Sequence, residues 1–451
     1  MKAFEVFVKK VSSPIIARGK GLPRLFQCLE ELEVSQYWDR NRIVEFQFEK
    51  LKKLLLHAYE NTTFYRRRFD KAGVNPYKLQ DPEEIRNIPI LTKREIRENI
   101  TAMIAKGYRK NQLDMSETGG TTGVKLLFYR DKASLSLKKA AVYRFEKWAG
   151  WDFGERMAMV WPASADYVGY YTWETKLMNE LFGRQVVLPD ALLDDHVIQE
   201  YVDQLIKKRP TMVRGFASPI YEVASYINRK GIELPLKGAI TTGEPLFIHQ
   251  RKIIEEAFHC KVLDSYRTRE AGSVAQQCQE LYGLHINAEC LYVEIESQNS
   301  TYDGTGEIII TDLVNYGMPF IRYQIGDVGK ISFEPCPCGR GLPMLKNILG
   351  RTFDIFFGPD GKRVMSINLV RYLVYKAPGL LGQVQIIQDR LDHLVIRMTP
   401  DPPPTDEIKN YQISKVKELL GPQMKVSFEI VDKIPREESG KYRFTICKIS
   451  K

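Results

Sequence analysis

The sequence predicts an α/β protein in two parts. The first is a large N-terminal α/β domain with parallel sheets and a distorted β-barrel region. The second is a small C-terminal α+β domain. Three observations carry this reading. From about residue 150 onward, short apolar runs alternate with helical stretches, as in a largely parallel sheet. Between 288 and 335 the pattern shifts to alternating apolar and polar residues, the mark of antiparallel strands. After Gly350-Arg351 the chain restarts with strands and a helix of its own. This sets a boundary near 350, with a large domain at 1–350 and a small one at 351–451.

Taken in order, residues 45 to 105 read as helices, because Leu51, Leu54, Leu55, Ala58 and Tyr59 recur at helical spacing. Pro89-Ile90-Leu91-Thr92-Lys93 breaks that pattern, and Thr92 is placed to cap the next helix. Strands are expected at 157–161, 186–188, 212–215, 239–241 and 262–264, with helices at 193–208 and 246–259. Residues 291–296, 306–311 and 320–331 supply the barrel region. Beyond the boundary come strands at about 382–388 and 393–398. A helix from Asp406 to Leu420 then ends at Gly421, a C-cap, and a strand follows at 424–431.

The 451 residues are 44% hydrophobic and 27% charged, the balance of an ordinary soluble protein. No apolar stretch approaches the roughly 18 residues of a membrane span. The N-terminus has no apolar core or cleavage site of a signal peptide. It is basic and somewhat amphipathic, so it reads as a solvated first helix or as a peripheral membrane contact. The net charge of +10 suits an anionic ligand, and the basic residues show no nucleic-acid signature. Seven unpatterned cysteines exclude a disulfide framework and favour the reducing cytoplasm. A homodimer is compatible with all of this.

Two runs carry the chemistry. Thr118-Gly119-Gly120-Thr121-Thr122-Gly123 is a loop in which glycines let backbone N–H groups approach phosphate oxygens and threonine hydroxyls add donors. Alone, it reads equally well as a hairpin turn, and it does not follow the Walker spacing. Near the C-terminus, Pro435-Arg436-Glu437-Glu438-Ser439-Gly440-Lys441 offers a lysine that could close over bound phosphates. Further signals sit where α/β folds place ligands, after strands: Gly243-Glu244-Pro245 and Tyr266-Arg267-Thr268-Arg269-Glu270. Arg322-Tyr323-Gln324-Ile325-Gly326-Asp327 sets an aspartate in a tight glycine turn.

With these motifs the chain resembles the adenylate-forming superfamily of acyl-CoA synthetases, adenylation domains and luciferases. Within it, the likeness is to phenylacetate–CoA ligases and their capsule-biosynthesis relatives. Leu55 to Tyr65 and Pro89 to Lys93 look typical of that subgroup, and the resemblance covers about residues 45 to 445. It implies that Thr118, Gly119, Gly120, Thr121, Thr122 and Gly123 hold the β- and γ-phosphates of ATP. Glu270 would bind Mg²⁺. Tyr266 would line the adenine and acyl-phosphate region, with Gly243, Glu244 and Pro245 flanking the adenine. Asp327 would bind the ribose hydroxyls, and Arg351 the ribose or phosphate. Lys441 would bridge the carboxylate and the α-phosphate. Asp354 is the implied hinge, which makes the small domain a mobile one. As bland alternatives, Glu270 reads as an ion-pair partner of Arg267 or Arg269, and Asp327 as a turn cap.

The reaction implied is attack of a carboxylic acid on the α-phosphate of ATP, followed by transfer of the acyl group to coenzyme A. An amine or hydroxyl acceptor, or a nucleotide-binding protein without turnover, are the other readings. The sequence departs from the family pattern at Gly119, usually serine, at Lys125-Leu126, usually Pro-Lys, and at Arg267, usually glycine.

A separate constellation concerns metal. Cys336 and Cys338 form a Cys-x-Cys, with Cys278 and His285 earlier in the chain. Three thiolates and an imidazole suit tetrahedral Zn²⁺ in a structural role, and some members of the resembled subgroup carry such a site. Four buried side chains without a ligand are the alternative.

Overall fold

The structure is a computed structural model. It describes residues 2–117, 126–160, 184–188, 195–296, 304–351, 355–365, 369–375, 377, 383–399, 404–434 and 445–449. The chain divides into two compact units. The first holds 1–296, 308–325 and 331–346, and the second holds 297–307, 326–330 and 347–451.

The first unit opens with helices. Arg40–Asn61 buries Leu51, Leu54, Leu55 and Ala58, the spacing read from the sequence. Thr92 caps Lys93–Met103 in a full capping box. Its side chain accepts from the Glu95 backbone N–H, and the Glu95 carboxylate accepts from the Thr92 N–H.

Strands β1 (Asp114–Glu117) and β2 (Leu127–Arg130) pair antiparallel, so the ends of the Gly/Thr loop between them are drawn together. The loop itself, 118–125, lies outside the described residues. Next in the chain come β3 (Met157–Val160), β4 (Gln185–Leu188), β5 (Met212–Phe216), β6 (Gly238–Thr242), β7 (Val262–Thr268), β8 (Gly272–Gln277) and β9 (Leu284–Ile286). They are followed by β10 (Leu291–Glu296), β11 (Gly306–Asp312), β12 (Tyr323–Ser332) and β13 (Met344–Arg351). All eleven from β3 to β13 join one sheet, in the order β10-β11-β12-β13-β9-β8-β7-β6-β5-β3-β4.

The five strands β4-β3-β5-β6-β7 are parallel, as the alternation of apolar runs predicts. Every residue of β3, β5 and β6 is buried, the signature of strands covered on both faces. One face carries Ala158, Val213, Ala239 and Val262. They pack with Ile220, Ile227, Ile254 and Phe258 of the helices Ala217–Lys230 and Ile248–Phe258. Adjacent strand residues point to opposite faces. Arg214 therefore points the other way from Val213, toward the helix Lys132–Trp148, where it pairs with Glu146.

One expectation is corrected. The predicted barrel region does not close on itself among the described residues: β10 to β13 extend the same large sheet. The alternating pattern reports strands, and β11 and β12 are buried along most of their length. Closure depends on which edges meet, and the pattern does not encode that. A second expectation changes in detail. Gly326-Asp327 lies inside β12 instead of in a turn, because Gly326 takes φ +88° within the strand and bends it without ending it.

The second unit has its own sheets. Strands β14 (Ile355–Phe357) and β15 (Arg363–Met365) pair antiparallel. A four-stranded sheet joins β16 (Gln383–Arg390), β17 (His393–Thr399), β18 (Lys425–Ile430) and β19 (Thr445–Cys447) in the order β18-β17-β16-β19. The helix Asp406–Leu420 starts at Thr405, whose hydroxyl accepts from the Ile408 N–H. It ends at Gly421, whose φ of +113° suits glycine. Among the described residues no helix is long and apolar enough to cross a membrane.

Candidate functional site

Strand β7 ends in a tight hairpin to β8, and the hairpin carries Glu270. The Glu270 side chain is buried, with 8% of its surface exposed. A carboxylate in such a place needs partners. The Tyr323 hydroxyl of β12 donates to its Oε1 at 2.9 Å, and Lys93 Nζ stands 3.6 Å from the same oxygen. Both contacts fall on Oε1, which leaves Oε2 as the oxygen available to a cation. Lys93 supplies one positive charge to this buried carboxylate, and the oxygen that the two contacts leave open fits a bound divalent cation. Among the described residues the ion-pair partner is Lys93, in place of the Arg267 or Arg269 considered from the sequence. Lys93 and Tyr323 lie in runs picked out from the sequence, but their role in holding Glu270 was not legible there. They sit about 180 and 50 residues away from it, and only folding brings the three together.

Strand β6 ends at Thr242, and Gly243-Glu244-Pro245 follows. Gly243 has φ +78°, and a Cβ there would stand 2.9 Å from the Phe216 ring. Glycine is therefore required on both counts. Glu244 is buried. Its Oε2 accepts from the Ser218 N–H at 2.9 Å and the Ser218 hydroxyl at 2.7 Å, while its Oε1 is buried without a hydrogen-bond partner. Tyr266 is half-buried in β7, opposite Ala275 of β8. Gly243, Glu244, Pro245, Tyr266 and Glu270 thus gather at the C-terminal ends of adjacent strands β6 and β7. Ligands bind at this edge in open α/β sheets.

The remaining expected residues fall elsewhere. Asp327 is buried in β12 within the second unit, and the Arg351 backbone ends β13 in that unit. Thr118 to Gly123, Asp354 and Lys441 lie outside the described residues.

The cysteine and histidine residues converge. The ligand atoms of Cys278, His285, Cys336 and Cys338 all lie within 4.8 Å of one another. Cys278 Sγ and Cys336 Sγ are 3.7 Å apart, and Cys338 Sγ is 3.4 Å from His285 Nε2. A tetrahedron with Zn–S bonds of about 2.3 Å has S···S edges of about 3.8 Å, so the spacing is that of a tetrahedral zinc shell. His285 Nδ1 is 3.3 Å from the Leu342 carbonyl. A carbonyl can only accept, so Nδ1 carries the proton and Nε2 presents its lone pair to the cluster. Burial pushes the imidazole down to about 4, which keeps it neutral. Burial also opposes a thiolate at Cys338, but the backbone N–H and guanidinium of Arg340 outweigh it and hold that pKa down. The donor set fits Zn²⁺. Strand β8 separates Cys278 from Glu270, with one just after its last residue and the other just before its first. Six residues of strand span about 20 Å, so the cluster stands apart from the hairpin.

Residues 356–448 match the family model of the CapK C-terminal domain. Protein CapK of Staphylococcus aureus is 26% identical over 430 residues, covering 92% of each chain. The phenylacetate-coenzyme A ligase of Thermus thermophilus is 25% identical over 442 residues, covering 90% of this chain and 96% of that one. Among solved structures, 2-hydroxyisobutyryl-CoA ligase in the postadenylation state, in complex with R3-HIB-AMP, has the same fold. Its TM-score is 0.71 at 20% identity, over 92% of this chain and 91% of that chain. The chain is thus similar along nearly its whole length to CapK and to a phenylacetate-coenzyme A ligase, and it shares the fold of an acyl-CoA ligase.

Proposed function

We propose that this protein activates a carboxylic acid with ATP to give an acyl-adenylate and pyrophosphate, and then transfers the acyl group to coenzyme A with release of AMP. The observation that carries this reading is the buried Glu270 carboxylate at the strand edge, with Oε1 held by Tyr323 and Lys93 and Oε2 free to meet a cation.

In the first step an oxygen of the substrate carboxylate attacks the α-phosphorus, and the bond to the β-phosphate oxygen breaks. The residues assigned to it are the Thr118–Gly123 loop for the β- and γ-phosphates and Lys441 for the carboxylate and α-phosphate. Tyr266 and Gly243-Glu244-Pro245 flank the base, Asp327 accepts from the ribose hydroxyls, and Arg351 meets the ribose or phosphate. Glu270 would hold Mg²⁺, which supplies charge neutralisation at the phosphates when bound. In the second step the thiol of coenzyme A attacks the acyl carbon, and AMP leaves. Cys278, His285, Cys336 and Cys338 would hold a structural Zn²⁺. The reading places the enzyme in the cytoplasm, where ATP and coenzyme A are at hand.

The small domain, assigned to 351–451 with its hinge at Asp354, must present Lys441 for the first step and withdraw it for the second. Lys441→Ala therefore removes adenylation and largely spares acyl transfer from preformed acyl-adenylate. Pre-steady-state rates of the two half-reactions test this, and equal losses in both would contradict it. One observation favours a second acceptor class. That reading rests on the resemblance to capsule-biosynthesis relatives, to which residues 356–448 add a match to the CapK C-terminal domain. AMP release driven by hydroxylamine or an alcohol in preference to coenzyme A would select an amine or hydroxyl acceptor.

A further inference from the structure

The face of the sheet under the helix Lys132–Trp148 holds an unusual concentration of positive charge. Lys139, Tyr143 and Glu146 occupy one side of that helix, at spacings of four and three residues. From the sheet, Arg214 of β5 reaches the Glu146 carboxylate through Nη1. Arg214 is only 9% exposed, and its Nε is buried without an acceptor. Arg267 of β7 folds back along its strand, and its Nε donates to Ser265 Oγ at 2.9 Å, while its Nη2 is buried without an acceptor. Lys139 Nζ stands 4.9 Å from the centre of the Tyr143 ring.

Among the described residues, the Glu146 carboxylate pairs with Arg214 alone, and neither Arg267 nor Lys139 forms an ion pair. The charges of the three cations act on one another. Burial first, then Arg214, Arg267 and Lys20, push the Lys139 ammonium down to about 7. Burial pushes Arg267 down to about 10. Buried cations without counter-ions destabilise a fold, and apolar side chains of similar volume would pack more favourably. Such a cluster is retained where an anion completes it. Its position says which anion. Arg267 directly follows Tyr266 and precedes Glu270 by three residues, so the cluster opens from the same hairpin as the proposed adenylation site.

We infer that Arg267, Arg214 and Lys139 form a binding site for a second anionic group on the substrate, so that the acid activated is a small dianion, a dicarboxylate or a phosphorylated carboxylate. This rests on the adenylation reading for the fate of the substrate, while the anion site stands on the cation cluster alone. The guanidinium groups of Arg214 and Arg267 each offer an unused N–H to an acceptor oxygen, and Lys139 supplies charge.

The test has two arms on the full-length protein. In the first, without ATP, calorimetry and thermal melting compare succinate, 3-phosphopropionate and butyrate. A dianion is expected to bind at least about tenfold more tightly than butyrate and to raise the melting temperature. Arg267→Ala and Lys139→Gln are expected to lose that margin while melting as cooperatively as the parent. The preferred dianion tells carboxylate from phosphoryl recognition. In the second arm, pyrophosphate release with ATP gives kcat/KM for each acid. The ratio of dianion to butyrate should fall at least about tenfold in Arg267→Ala. Equal handling of butyrate and both dianions by the parent protein, or an unchanged ratio in Arg267→Ala, would overturn the inference. The two readings fail differently. Tight dianion binding with no pyrophosphate from any acid retains the anion site and removes adenylation. Pyrophosphate from monoanionic acids in preference to dianions retains adenylation and removes the anion site.

Discussion

At the scale of the residue, the molecule spends stability at particular buried charges. Asp264 of β7 accepts from the Thr241 hydroxyl at 3.1 Å and from the Ser265 N–H at 3.0 Å, yet burial raises its pKa from 3.8 to about 6. The sign follows from linkage. Below about pH 4 the carboxyl is protonated in both folded and unfolded chains. As pH rises to about 6 the unfolded chain loses the proton while the folded one keeps it, so stability falls across that window. Asp264→Asn keeps an oxygen acceptor and removes the charge. The variant is expected to match the parent at about pH 4 and to exceed it by about 1–3 kcal/mol at about pH 8. Denaturant unfolding across pH checks this, and a difference independent of pH would contradict it. The strand carrying Asp264 was readable from its apolar run, as were the single residues Glu270 and Gly243. The buried cations were not. Lys139, Arg214 and Arg267 look like surface residues in a sequence, because lysine and arginine are rarely buried and the sheet face that covers them is decided by long-range packing.

At the scale of the element, the metal cluster depends on three separate segments. Cys278 follows β8, His285 lies in β9, and Cys336 and Cys338 belong to the connection between β12 and β13. The ligand identities could be read from their types and spacing. The tautomer of His285, set by the Leu342 carbonyl, and the support of Cys338 by Arg340 could not, since both rest on backbone placement. The freshly purified protein is expected to carry about one zinc per chain. Cys338→Ser should lose the metal and lower the melting temperature, because binding energy at such a site is also folding energy. Metal analysis and thermal melting check both, and a parent protein free of zinc would reject the assignment. The parallel strands β3 to β7 were legible at this scale, since fully covered strands read as unbroken apolar runs. The course of β10 to β13 was legible as strands but not as an extension of the large sheet, because alternation fixes which face a residue takes and leaves the neighbouring strand unspecified.

At the scale of the whole molecule, the central claim is that two runs more than 300 residues apart in the sequence, the Gly/Thr loop and Lys441, serve one reaction with the hairpin of Glu270. The second unit has separate sheets, β14-β15 and β18-β17-β16-β19, each built from residues after 350, and it also takes in 297–307 and 326–330. How that unit is used in turnover was legible only through the family resemblance, since motion leaves no apolar period in a sequence. The chemistry itself has a direct test. The protein is incubated with ATP, Mg²⁺ and a mixture of mono- and dianionic carboxylic acids, without coenzyme A, and the products are read by mass spectrometry. The account predicts an acyl-adenylate of one acid together with an equal amount of pyrophosphate, abolished in Glu270→Gln and in Lys441→Ala. ADP and phosphate as the products, or no adenylate from any acid by a protein that binds ATP, would contradict it.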